Sequence, residues 1–190
     1  MNLPNVLTLS RIGFAFILVY LLLLNSLLGN IWASIFFIIA SLTDFYDGYL
    51  AKKRGLVSNF GKIMDPIADK VMMLSIFFAL AFIGMVAWWM VIVMAIREVW
   101  VTMDRLWCMH RGQVIAAERA GKIKTVFQMA TVSLILGYLV LDQAAFAHSW
   151  FHQIQKAYQG WINIFMIVTV AFTLGSAVAY FRNKMRNSSL

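Results

Sequence analysis

Long apolar blocks separated by short polar ones set the pattern of this chain. The blocks run over Ile12–Leu28, Ile31–Leu50, Val71–Gly84, Met85–Trp107, Val126–Leu141 and Ile162–Phe181, and about 20 apolar residues carry a helix across a bilayer. The pattern predicts an all-α, polytopic integral membrane protein with six transmembrane helices. The third and fourth blocks share one apolar run from Val71 to Ile96, so a single tilted pass there would leave five helices and put the two polar loops on opposite sides. Gly84 is the expected turn that divides the run, with the third helix recruiting the polar stretch from Pro66 onward to reach spanning length. Ahead of the first block, Asn2–Arg11 is amphiphilic and is expected to form a short interfacial segment before the first helix.

Composition narrows the picture to a membrane. Of 190 residues, 62% are hydrophobic and 13% charged, with a mean hydropathy of +0.79, whereas soluble domains are about 45–50% apolar and about 25% charged. The chain is therefore expected to be one membrane domain over residues 1–190, with no separate soluble part. The +8 formal charge would suit nucleic acid, but its distribution has a simpler cause. With both termini inside, the inner segments collect 15 of the 16 basic residues, and only Lys156 falls outside. That asymmetry is the positive-inside signature, and it makes a nucleic-acid partner unnecessary. It puts both termini on the cytoplasmic side of a bacterial-type inner membrane.

Several other features carry no chemistry of their own. The first block is longer than a signal-peptide core and lacks a clear cleavage site, so it is expected to be retained. Cys108 is the single cysteine, which excludes an internal disulfide. His148 and His152 lie four apart, but in the expected outer loop with the interfacial aromatics Trp150, Tyr158 and Trp161, and they make a poor metal site.

The acids are the informative residues. Four of the eight are Asp44, Asp47, Asp65 and Asp69, two at the end of the second block and two before the third. Spacings of three and four put each pair on one helix face, so two antiparallel helices can aim all four carboxylates at one point. Carboxylates so grouped at a membrane boundary repel one another unless cations lie between them. Hard oxygen donors without histidine or cysteine favour Mg²⁺ or Mn²⁺, with room for two ions, and leave Ca²⁺ as an alternative. Asp65 before Pro66 also reads as a helix N-cap with proline at the first helical position. Between the pairs, small residues permit close approach of a substrate, and Lys52, Lys53, Arg54 and Lys62 can meet phosphate oxygens. Metal beside basic residues suggests phosphoryl chemistry.

The stretch Asp44-x2-Asp47-Gly48-x2-Ala51-Lys52-x8-Gly61-x3-Asp65-x3-Asp69 resembles the signature of the CDP-alcohol phosphatidyltransferases, membrane enzymes of phospholipid synthesis. One position departs, since the family usually has arginine where Lys52 stands. Lysine keeps the charge and loses the bidentate fork. The resemblance implies that Asp44, Asp47, Asp65 and Asp69 hold the metal ions and that Asp69 is also the general base. It further implies that Gly48, Ala51, Lys52 and Gly61 line the CDP-lipid, and that the chain forms a homodimer among membrane lipids. Pro4-Asn5, Leu7-Thr8 and Arg11, then Arg97-Glu98 with Arg105, then Gly121-Lys122-Ile123-Lys124-Thr125 are similar to the branch of the family that takes glycerol 3-phosphate as acceptor of the CDP-diacylglycerol phosphatidyl group. Arg105, Lys122, Lys124 and Thr125 are then the expected acceptor-phosphate clamp, against a plain topogenic reading of the same charges. Arg97 and Glu98 are alternatively a local structural pair.

Three other readings compete. Members of the same family make cardiolipin, phosphatidylserine or phosphatidylinositol phosphate. A divalent-cation transporter would also carry acids in its helices, though nearer the midplane. A purely structural membrane subunit would tolerate loss of Asp69.

Overall fold

The computed structural model describes residues 3–54, 59–110, 119–144 and 151–188. Within them, the side chains of 3–11, 44–54, 59–66, 109, 110, 119, 120, 122, 151–154, 156 and 186–188 lie outside the described residues. The described chain forms six helices: α1 (Leu3–Leu23), α2 (Leu27–Arg54), α3 (Asn59–Phe82), α4 (Trp88–His110), α5 (Arg119–Ala144) and α6 (Phe151–Ser188).

Two turns at the same end of the bundle show how the sequence breaks its apolar runs. At the α3–α4 turn, Gly84 takes φ 79°, the Gly84 N–H donates to the Ala81 carbonyl at 3.1 Å, and the Met85 N–H donates to the Leu80 carbonyl at 2.9 Å. This is a Schellman closure, built on the residue type that enters left-handed backbone without a Cβ penalty. The run from Val71 to Ile96 is thus two helices, divided where Gly84 was expected to divide it. The α1–α2 turn departs from expectation. The first helix was expected to reach Leu28, but the chain turns over residues 24–26. Asn25 takes φ 43°, a region asparagine tolerates better than most side chains, and Ser26 Oγ accepts the Gly29 N–H at 3.1 Å as the N-cap of α2. Leu24, Leu27 and Leu28 on either side make the hydropathy continuous and hide the break. Residues 3–11, expected as a separate interfacial piece, are the first turns of α1 in one unbroken helix.

Neighbouring helices alternate in direction. At the end that carries the α1–α2 and α3–α4 turns, Gln143 Nε2 donates to the Asn25 carbonyl at 2.9 Å, Gln155 to Asp142 at 3.1 Å, and Gln159 to the Met85 carbonyl at 3.3 Å. At the opposite end Lys184 Nζ donates to Asp104 at 2.6 Å. Helix α1 packs on α2 and α3, α5 on α2, α3 and α6, and α4 on α3 and α6. The helices therefore close a ring in the order α1, α2, α5, α6, α4, α3, with the α3–α5 contact crossing it. Leu18, Leu22, Met72, Ile76, Phe77, Leu80, Met94, Ile135, Leu136, Ile162 and Met166 fill the centre, and Ala15, Ala33, Ala40 and Ala79 let the helices approach closely.

Polar groups are set into this apolar interior, and large apolar side chains cover much of the outside. Asn30, Glu98, Lys124, Gln128, Thr131, Thr169, Thr173 and Ser176 are buried, while Trp32, Ile38, Phe82, Ile96, Trp100, Trp107 and Ile167 are among the exposed residues. Inside, the Thr131 and Thr169 hydroxyls meet at 2.8 Å, and toward the surface the Phe127 and Phe172 rings stack at 4.3 Å, both joining α5 to α6. Two stretches, Ile123–Ala144 and Ala157–Met185, are long and apolar enough to cross a membrane among the described residues. Helices α2, α3 and α4 each mix apolar stretches with charged residues.

Candidate active site

Helix α2 ends and α3 begins at one end of the ring, separated by four residues. The backbone therefore brings Asp44, Asp47, Gly48, Ala51 and Lys52 on α2 to the same end as Gly61, Asp65 and Asp69 on α3. Both aspartate pairs lie on continuous helix, so spacings of three and four place each pair on one face. The side chains of Asp44, Asp47, Gly48, Ala51, Lys52, Gly61 and Asp65 lie outside the described residues. Asp65 differs from expectation in one respect. Helix α3 begins at Asn59, so Asp65 is inside the helix and is not its N-cap. Pro66, with no N–H to give, leaves the carbonyl of residue 62 without its usual helical donor.

Asp69 is the described member of the set. Its side chain is 23% exposed, and Lys70 Nζ donates to its Oδ2 at 3.2 Å. Lys70 is shared, because the same ammonium lies 3.5 Å from Oε2 of Glu98 on α4. Glu98 is 2% exposed and collects more than one cation. Arg97 NH1 is 3.4 Å from Oε2, Lys124 Nζ of α5 donates to Oε1, and Gln128 Nε2 donates to Oε1 at 3.4 Å. Arg97 in turn donates through NH2 to Ser176 Oγ on α6 at 2.8 Å. One buried carboxylate thus joins α3, α4 and α5, and its neighbour reaches α6. Removing such a carboxylate from water is costly, and opposite charges at hydrogen-bonding distance offset that cost.

A second polar group lies lower on α4. Asp104 accepts the Tyr180 hydroxyl at 2.8 Å and Lys184 Nζ at 2.6 Å, and the Arg105 guanidinium stands over the Tyr180 ring at 5.5 Å. Arg105 is two helical turns from Glu98 on the same face of α4, about 10 Å along the axis. The Nε atoms of Arg97 and Arg105 are buried without a hydrogen-bond partner among the described residues.

The expected acceptor clamp is distributed over these groups. Lys124, 3% exposed, lies against Glu98, and the Thr125 hydroxyl donates to the Gly121 carbonyl of its own helix at 3.2 Å. Arg105 is on the α4–α6 side, and the Lys122 side chain lies outside the described residues. Sequence reasoning paired Glu98 with Arg97 and left its partners on α3 and α5 unnamed. The available signal was an acid in the middle of an apolar block, which needs a buried cation, together with Lys124 and Gln128 four apart on one helix face.

Comparison with known proteins supplies the family. The model of the CDP-alcohol phosphatidyltransferases matches residues 1–175. A CDP-diacylglycerol–glycerol-3-phosphate 3-phosphatidyltransferase of Bacillus subtilis (strain 168) is 40% identical over 147 residues, covering 71% of this chain and 76% of its own. A protein of the same name from Rickettsia typhi (strain ATCC VR-144 / Wilmington) is 34% identical over 135 residues, with 71% and 76% covered. A probable phosphatidylglycerophosphate synthase of Mycobacterium tuberculosis (strain ATCC 25618 / H37Rv) is 36% identical over 140 residues, covering 71% of this chain and 66% of its own. A match over residues 1–175 takes in all four aspartates, both helices that carry them and the Glu98 cluster, and the chain belongs to the CDP-alcohol phosphatidyltransferase family.

Proposed function

We infer that the chain transfers the phosphatidyl group of CDP-diacylglycerol to glycerol 3-phosphate, giving phosphatidylglycerophosphate and CMP. The observation that carries this reading is the aspartate signature brought by α2 and α3 to one end of the bundle, in a chain 40% identical to a relative named for that reaction. The donor set suits Mg²⁺ or Mn²⁺, two ions for four carboxylates, since the signature offers hard oxygens and no sulfur or imidazole. Asp69, partly exposed at the site, fits a ligand that can reach both an ion and a substrate. Bound divalent cations would neutralise the diphosphate and polarise the phosphorus under attack.

The chain's own residues do the rest. Asp69 accepts the proton of the acceptor hydroxyl as its oxygen bonds to the β-phosphorus, which carries diacylglycerol. The bond from that phosphorus to the oxygen of CMP breaks, and CMP leaves. No covalent enzyme intermediate is needed. Gly48, Ala51 and Gly61 give the CDP moiety close access to the helix backbones, and Lys52 supplies positive charge for its diphosphate. Arg105 and Lys122 take the acceptor phosphate, with Thr125 at the same end, while Lys124 adds positive field from its place on Glu98.

In this reading all six helices cross the membrane, both termini and the site face the cytoplasm of a bacterial-type inner membrane, the first turns of α1 lie at the interface, and two copies form a homodimer. The exposed apolar surface and the charges paired inside the bundle support the crossing. The test is CMP release from CDP-diacylglycerol with glycerol 3-phosphate, serine, inositol phosphate or phosphatidylglycerol in turn. Release with glycerol 3-phosphate is expected, and its absence overturns the assignment.

A further inference from the structure

Glu98 has no part in the reaction just described, yet it is the most connected charge in the described bundle. Its Oε1 takes Lys124 and Gln128, and its Oε2 faces Arg97 at 3.4 Å and Lys70 at 3.5 Å. Of these partners, Lys70 also touches a residue of the proposed metal set, holding Asp69 Oδ2 at 3.2 Å. Side chains one residue apart on a helix do not face each other. Lys70 therefore does not fall against Asp69 through helix geometry alone, and the pull of Glu98 from α4 helps fix where the ammonium stops. Arg97 is anchored on Ser176 and Lys124 is buried, so the carboxylate that faces Lys70 is itself held by its α4 neighbour and by α5.

We propose that Glu98 is a positioning residue for Asp69, acting through Lys70. The ammonium is shared, 3.2 Å from Asp69 and 3.5 Å from Glu98, so Glu98 offsets part of its charge and weakens its hold on Asp69, leaving the aspartate able to ligate a divalent cation and meet the acceptor hydroxyl. Without the negative charge at Glu98, Lys70 pairs with Asp69 alone and competes with the metal. The inference rests on the metal reading above and concerns a residue outside the aspartate signature.

The test uses the full chain in detergent, as wild type, Glu98→Gln, Lys70→Gln and the double variant, each checked for monodisperse elution and a cooperative melt. Mn²⁺ binding is followed directly by the loss of the free-ion electron paramagnetic resonance signal. Glu98→Gln is expected to weaken Mn²⁺ binding about tenfold, the usual scale for a group that orients a metal ligand. In the Lys70→Gln background the same change is expected to add less than about twofold, because the competing ammonium is gone. At saturating Mn²⁺, Glu98→Gln should lower kcat and leave the KM for CDP-diacylglycerol unchanged. A folded Glu98→Gln protein that binds Mn²⁺ like wild type, or that weakens equally in the Lys70→Gln background, overturns the proposal. Should Glu98→Gln not fold, Glu98→Asp takes its place: it keeps the charge among Arg97 and Lys124 and withdraws it from Lys70. The same Lys70-dependent weakening is then expected, and wild-type affinity overturns the proposal. Wild-type protein that binds no Mn²⁺ overturns the metal reading itself, an outcome distinct from the other two.

Discussion

Asp69 and Arg105 answer different questions about the same reaction, and their substitutions should separate. Asp69 is partly exposed at the end of the bundle where both aspartate pairs gather, and its proposed task is to take a proton in the transition state. Asp69→Asn keeps the shape and removes the base. We expect turnover to fall by about 100-fold or more, the low end of what a positioned base contributes, while binding of CDP-diacylglycerol to the purified protein persists. Asp69→Asn with wild-type turnover would remove the base assignment. Arg105 instead stands over Tyr180, two turns below Glu98, with a buried Nε that has no partner among the described residues. A hydrogen bond to a charged group is worth about 1.5–3 kcal/mol, so Arg105→Ala should raise the KM for glycerol 3-phosphate roughly 10- to 100-fold, with the KM for CDP-diacylglycerol unchanged. An equal rise in both would assign Arg105 to folding of the α4–α6 contact rather than to the acceptor.

Helix boundaries carry the next level of information, and the α1–α2 turn leaves no room for a side chain at Gly29. A Cβ added to Gly29 would lie 2.7 Å from the Leu21 carbonyl oxygen and 2.9 Å from Ser26 Oγ. The first of these is backbone and cannot swing aside. Gly29→Ala should therefore lower the melting temperature more than Ser26→Ala, which loses only the cap to the Gly29 N–H, worth about 1 kcal/mol. Thermal unfolding of both variants in one detergent checks the order, and the reverse order would mean that the turn relaxes freely. The two turns at this end also explain what could be read from sequence. Gly84 interrupts an apolar run with a residue of unusual backbone freedom, so its turn was legible. Asn25 sits among leucines, and its left-handed conformation matters more than its hydropathy, so that turn was placed several residues late. The aspartate pairs were legible because their meaning lies in local spacing on one helix each. The Glu98 network was not, since its partners come from α3 and α5 and only packing brings them together.

For the whole molecule, the decisive property is which surface meets which solvent. Glu98, Lys124, Gln128 and Thr131 are buried inside the ring, and Trp32, Ile38, Ile96, Trp100 and Ile167 are exposed around it. A bundle in hydrocarbon must keep its charges off the lipid, and the ion pairs within the ring with the apolar side chains around it follow that logic. Among the described residues, Ile123–Ala144 and Ala157–Met185 stand out by length and apolarity, while charges interrupt α3 and α4 and several of them pair with one another within the bundle. Direction then follows from alternation. If all six helices cross, α1 starts and α6 ends on the same side, together with the aspartates, Lys70, Arg105 and Lys184. The positive-inside rule makes that side cytoplasmic. A fluorescent protein fused after residue 190 should therefore glow in bacterial cells. Alkaline phosphatase fused within residues 145–150, between α5 and α6, should be active, which requires export. A single pass through the run from Val71 to Ile96 would give five crossings and put the C-terminal reporter outside, dark. The two reporters together distinguish six crossings from five, and an inactive phosphatase beside a fluorescent C-terminus would leave α5 and α6 on the cytoplasmic side and overturn the six-helix arrangement.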